Sequence, residues 1–178
     1  MHTRPERMRA WLSALLVFLV LFGLLKLFNR WSLAGNALEV GTPVAAFSLP
    51  DASGKPFRLP PTGREVLINY WASWCQPCVA EMPILQDFAQ RNAANGTQVV
   101  GIALEVKSDS RAWLSAHPVA YPMVFELPSA TDSSVSLGNT RGLLPYTVLV
   151  GADGRVMATR TGPFADAADL EGWLENAR

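Results

Sequence analysis

Apolar and polar positions change their rhythm several times along this chain. From Trp11 to Phe28 the run WLSALLVFLVLFGLLKLF spans eighteen positions, with Lys26 the only charge and Ser13 the only other polar side chain. An apolar surface on every side suits lipid better than a stripe packed on a core. At about 1.5 Å per residue the run crosses a hydrocarbon layer of about 30 Å if its ends snorkel. Residues 29–43 lose the pattern and read as a linker into a Pro-bearing incoming strand. Phe47–Leu49 and Pro56–Leu59 flank Asp51-Ala52-Ser53-Gly54, which is hairpin turn chemistry. Two β-branched runs, Glu65 to Trp71 (EVLINYW) and Gln98 to Leu104 (QVVGIAL), predict buried strands. Between them a helix is expected to begin at or near Cys75 and run toward Asn95-Gly96, kinked by Pro83. Asp109 to His117 predicts a short helix ending before Pro118, followed by a connecting segment. Tyr146–Val150 and Arg155–Thr161, around Ala152-Asp153-Gly154, predict a second hairpin. A closing amphipathic helix follows from Asp166 to Ala177, with Ala167, Leu170 and Leu174 in one row and Trp173 beside them.

The order is hairpin, β, α, β, α, connection, β, β, α: an α/β domain with a mixed central sheet flanked by helices on both faces. The expected organisation is residues 1–36 as N-terminal tip, anchor (about 11–28) and linker, then one domain over 37–178. Lys26, Asn29 and Arg30 lie between the apolar run and the small residues Ser32-Leu33-Ala34 and Asn36-Ala37. That spacing, with the long apolar run, favours a retained transmembrane helix over a cleaved leader. Charge sharpens the division. Residues 1–36 carry Arg4, Arg7, Arg9, Lys26 and Arg30 against Glu6, a net +4, and the remainder is −4. The acidic domain has no attraction for nucleic acid. Three arginines before the anchor against two basic residues behind it give a small bias toward a cytoplasmic N-terminus. The expectation is a single-pass protein of a bacterial inner membrane with its domain in the periplasm.

Cys75 and Cys78 are the only cysteines. Zinc needs two further ligands, and His2 and His117 are the only histidines, His2 falling across the expected membrane. A structural disulfide closing so short a loop adds little to stability. The redox reading uses the position instead. A cysteine at a helix N-terminus gains from unpaired N–H groups and the macrodipole, which favour its thiolate. Pro77 suits the first turn, where its missing N–H costs nothing. Cys78, one turn further in, is placed to resolve a mixed disulfide.

With strand, Cys-x-x-Cys and helix in this order, LINYWASWCQPCVAEMP resembles the TlpA/ResA-type membrane-anchored thioredoxins. Trp71, Ala72, Trp74, Cys75, Pro77, Cys78, Glu81 and Pro83 match, as does Gly142-Leu143-Leu144-Pro145-Tyr146-Thr147 downstream. The resemblance covers about residues 40–178. It implies a thioredoxin-like fold with an extra N-terminal hairpin, and catalysis by Cys75, Cys78 and Glu81. It also implies a substrate-facing set of Trp74, Gln76, Pro77, Leu144 and Pro145, with Pro145 cis and the Leu144 backbone offered as an edge. Asn69 stands where other thioredoxins carry a buried acid, and Glu81 takes over proton exchange with Cys78 three positions before it on the helix. Glu105 is an alternative for that role. Implied partners are disulfide-bearing proteins and a membrane electron donor of the DsbD or CcdA type, with no cofactor and no metal. Reduction of apocytochrome c before haem attachment is one family role. The turn after the second strand, Glu105-Val106-Lys107-Ser108, departs from the family's acidic, proline-rich one.

Two other functions compete. A peroxiredoxin requires a Thr or Ser three before its cysteine and a proline further upstream, where this chain has Ala72 and Ile68. A metallochaperone could hold Cu(I) on two thiolates, with His117 the one histidine in the domain to join them.

Overall fold

In the computed structural model of this protein, residue 17 and residues 20–23, 38–61, 63–94 and 96–178 are described. Val17 and residues 20–23 are helical, but most of the expected anchor over 11–28 lies outside the described residues. Among those described, no helix is long and apolar enough to cross a membrane. The chain divides into two compact units, Met1–Gly35 and Asn36–Arg178.

The larger unit is built on a five-stranded sheet of order β5-β4-β3-β6-β7. Its strands are β3 (Val66–Trp71), β4 (Gln98–Leu104), β5 (Met123–Glu126), β6 (Tyr146–Val150) and β7 (Val156–Thr161). β3, β4 and β5 run parallel, while β6 and β7 are antiparallel to their neighbours. A separate hairpin of β1 (Phe47–Pro50) and β2 (Pro56–Leu59) precedes it. Helices α1 (Gln76–Arg91), α2 (Lys107–Ala116), α3 (Ser133–Ser136) and α4 (Ala167–Ala177) fill the connections.

The central strands are buried on both faces, which is why their sequences read as continuous apolar runs instead of alternating ones. Val66, Ile68 and Tyr70 of β3 join Val100, Ile102, Val148 and Leu59 on one face. Leu67 joins Val99, Leu149, Leu85 and Phe88 of α1, and Leu170 and Leu174 of α4 on the other. A third cluster closes one end of the sheet and contains the cysteines: Trp71, Ala72, Cys75, Cys78, Met82, Ala103 and Phe125.

Two expectations are corrected. The connecting segment contains β5, which adds a parallel edge strand beside β4. Being four residues long, its pattern was too short to stand out from a loop. α1 stops at Arg91, short of Asn95-Gly96 (Asn95 lies outside the described residues). Arg64 explains the early stop. Its Nη2 donates to the carbonyls of Asn92 and Ala93, each at 3.1 Å, and its Nε to that of Gly96 at 2.9 Å. The Asn92 carbonyl also accepts the Gly96 N–H at 3.1 Å, while those of Ala93 and Gly96 would otherwise need another donor such as water.

Candidate active site

β3 ends at Trp71 and α1 begins at Gln76, so the intervening turn delivers Cys75 to the helix N-cap. Gln76 and Pro77 occupy the first two helical positions, and both are exposed. Cys75 has extended backbone, φ −84° and ψ 97°, as an N-cap requires. Its Sγ accepts the Cys78 N–H at 3.3 Å. Sulfur thus occupies the capping place that a Ser or Asp oxygen usually takes, where the helix favours negative charge. The two cysteines are joined in a disulfide. Cys75 retains 5% exposure and Cys78 none, so an incoming partner meets Cys75 first.

Glu81 is the second chemical centre. Three residues after Cys78 on α1, it is only 1% exposed. One carboxylate oxygen accepts from Asn69 Nδ2 of β3 and the other from the Phe164 N–H, each at 2.9 Å. Asn69 Nδ2 also donates to Thr147 Oγ1 of β6 at 3.1 Å. Burial pushes the Glu81 carboxyl up to about 7, against the Phe164 and Asn69 hydrogen bonds and the charge of Arg160, which hold it down. A buried acid with a midpoint near neutrality can both give and receive a proton under ordinary conditions.

The downstream motif folds beside the cysteines. Leu144–Pro145 is a cis peptide bond, Pro145 is buried, and Leu144 packs against the cysteine cluster. Trp74 is 69% exposed and, with Leu144, Val106 and Leu127, borders a groove of about 770 Å³. Four of the exposed large apolar side chains, Trp74, Val106, Leu127 and Leu143, belong to this end of the domain.

Glu105 has a different position from Glu81. It accepts from the Ser73 N–H and Oγ at 2.8 and 2.9 Å and from Ser110 Oγ at 2.7 Å. Its oxygens tie the turn before Cys75 to α2. Ala72 is buried without a hydroxyl to offer a peroxide, and Ile68 is buried within β3. His117 stacks on Trp113, with ring centroids 4.3 Å apart, and Trp113 meets Trp71 edge-on. Among the described residues no three His, Cys, Asp or Glu side chains converge on a metal position.

Asn69 and Thr147 were visible in the motifs, but the Phe164 N–H was not. A backbone donor has no residue signature.

Residues 40–159 match the AhpC/TSA family. The thiol-disulfide oxidoreductase ResA of Bacillus subtilis is 26% identical over 143 residues, covering 79% of this chain and 78% of that protein. The protein of the same name in Geobacillus kaustophilus is 25% identical over 177 residues, 98% of each chain, so that likeness extends through the N-terminal apolar run. A thiol:disulfide interchange protein of the thioredoxin family from Chlorobium tepidum superposes with a TM-score of 0.64 at 25% identity, over 78% of this chain and 97% of that one.

Proposed function

Because the chain belongs to the AhpC/TSA family, and within it is a ResA-type thioredoxin-like thiol–disulfide oxidoreductase, we propose that it reduces disulfides of extracytoplasmic proteins from a membrane anchor. The observation that carries the reaction is Cys75 Sγ at the N-cap, accepting the Cys78 N–H, with the buried Glu81 three residues after Cys78 on the same helix.

In the reduced enzyme the Cys75 thiolate attacks one sulfur of a substrate disulfide. A Cys75–substrate bond forms, the substrate S–S bond breaks, and the departing sulfur takes a proton. The Cys78 thiol then gives its proton to the Glu81 carboxylate, and its sulfur attacks Cys75 Sγ. The second substrate thiolate leaves, and the enzyme is left with the Cys75–Cys78 disulfide. Two electrons have passed to the substrate, so a donor must return two. A membrane dithiol donor of the DsbD or CcdA type fits an enzyme held at the same membrane. Trp74, Gln76, Pro77, Leu144 and Pro145 form the substrate-facing surface, and apocytochrome c is a candidate substrate.

Selective alkylation tests this assignment. In the reduced protein at mildly acidic pH, Cys75 should be labelled before Cys78. Cys78→Ser should accumulate mixed disulfides through Cys75. Equal labelling, or a preference for Cys78, would overturn the order of attack.

A further inference from the structure

Glu81 is gripped from two sides, and only one grip comes from the sheet. Asn69 is rigidly placed by β3. The other donor, the Phe164 N–H, lies in the turn from Gly162 to Ala165 between β7 and α4. A backbone N–H aims only as well as its chain is held. Here the chain on both sides of Phe164 is tied to one ion pair. Arg160 of β7 donates from Nη1 and Nη2 to the two carboxylate oxygens of Asp169 at 2.9 and 2.7 Å. Its Nη2 also donates to the Pro163 carbonyl at 3.0 Å. Asp169 accepts the Ala165 N–H at 2.9 Å. The guanidinium lies 4.5 Å from the centroid of the Phe164 ring. Exposed ion pairs contribute little by themselves, and the side chains of this pair are 25% and 32% exposed. A planar fork that also reaches a backbone carbonyl is better suited to fixing a geometry.

We propose that Arg160 and Asp169 form a positioning clasp for the redox site: they fix the 162–165 turn so that the Phe164 N–H meets Glu81, and so set how readily Glu81 exchanges its proton. The proposal rests on Glu81 serving Cys78, yet its immediate effect is on the carboxylate itself. The groups facing Glu81 are Asn69 of β3 with Thr147 of β6 behind it, the Phe164 N–H, Arg160, Cys78 on its own helix, and Tyr121 ahead of β5. Tyr121 is pushed above the usual phenol range by burial and then by the Glu81 charge. In the disulfide form Cys78 has no proton to titrate, so the oxidised protein isolates Glu81. Arg160 also acts on Glu81 directly through its charge, and Arg160→Lys, which keeps that charge, separates it from the aiming of the Phe164 N–H.

The test is an NMR titration of the oxidised full-length chain in detergent micelles. It follows the Glu81 carboxyl carbon, assigned by its disappearance in Glu81→Gln, and the Phe164 amide proton. In the unmodified protein both resonances should move together, with a midpoint near 7. Arg160→Met should raise the midpoint by about one pH unit and uncouple the Phe164 amide from it, because a hydrogen bond to the charged form is lost. Arg160→Lys should do nearly the same, since an ammonium keeps the charge but cannot bridge Asp169 and Pro163. A lysine variant that titrates as the unmodified protein does would reduce the effect to charge at a distance and overturn the clasp. Unchanged titrations in both variants would overturn it too. Should Arg160→Met not fold, Asp169→Asn applies the same criterion through the Phe164 amide. Trapping with Cys78→Ser judges the disulfide exchange separately, so a failed enzyme assignment and a failed clasp give different results.

Discussion

At the scale of single residues, the site depends on where one proton rests. Burial raises the Glu81 carboxyl from an ordinary 4.5 to about 7. Between those values the folded protein holds a proton that the unfolded chain has released. Its stability must therefore fall as pH rises through this window, and the loss is complete above the folded midpoint. The shift corresponds to about 3 kcal/mol at most. Glu65, Asp51 and Asp169 have the opposite sign, because each is lowered; their stabilisation fades only as pH falls below the ordinary carboxylate range. Glu81→Gln should accordingly flatten the urea-unfolding free energy of the oxidised protein between pH 4.5 and 7 and leave it more stable above pH 7. An unaltered slope would mean that Glu81 does not carry the buried proton. Single-turnover exchange with the same variant reads the kinetic side. The loss should be about 10²-fold or more if the carboxylate is the base for Cys78.

At the scale of elements, helix boundaries decide what the cysteines can do. The N-cap of α1 was legible because strand, two cysteines and Pro77 stand in one short stretch. Its C-terminus was not, because the residue that ends it is Arg64, far away in sequence and just ahead of β3. Arg64→Ala leaves the Asn92, Ala93 and Gly96 carbonyls without that donor. It should lower stability by about 1–3 kcal/mol without changing the denaturant slope. β5 shows the same limit. Four residues carry too little periodicity, and the strand exists because Gly101 to Leu104 of β4 offer it a parallel register. A Cβ on Gly101 would lie 2.3 Å from Met123 Sδ, so a larger residue there would make the flexible Met123 side chain shift. The candidate site was legible where chemistry concentrates in motifs, at Cys75, Cys78, Glu81 and Pro145. It was illegible where the fold supplies a backbone N–H or a distant ion pair, as at Phe164 and Arg160.

At the scale of the whole molecule, a −4 domain follows a +4 N-terminal stretch carrying an eighteen-residue apolar run. Retention of that run as an anchor predicts an intact mass that includes residues 1–36 and a membrane-fraction protein released by detergent but not by salt. A mature soluble form beginning near Gly35 or Leu38 would show cleavage instead.

The sheet has two outer strands, and each is touched by chain from elsewhere. The Val156 N–H of β7 donates to the Thr42 carbonyl at 2.9 Å, and the Gly41 N–H donates to the Val156 carbonyl at 2.8 Å. On the opposite side, Asp51 of the hairpin turn bridges Val124 of β5. Open strand edges invite pairing with other chains. Chain from ahead of the first strand therefore covers part of one such edge, and the domain's working boundary falls ahead of Gly41, well before the first strand.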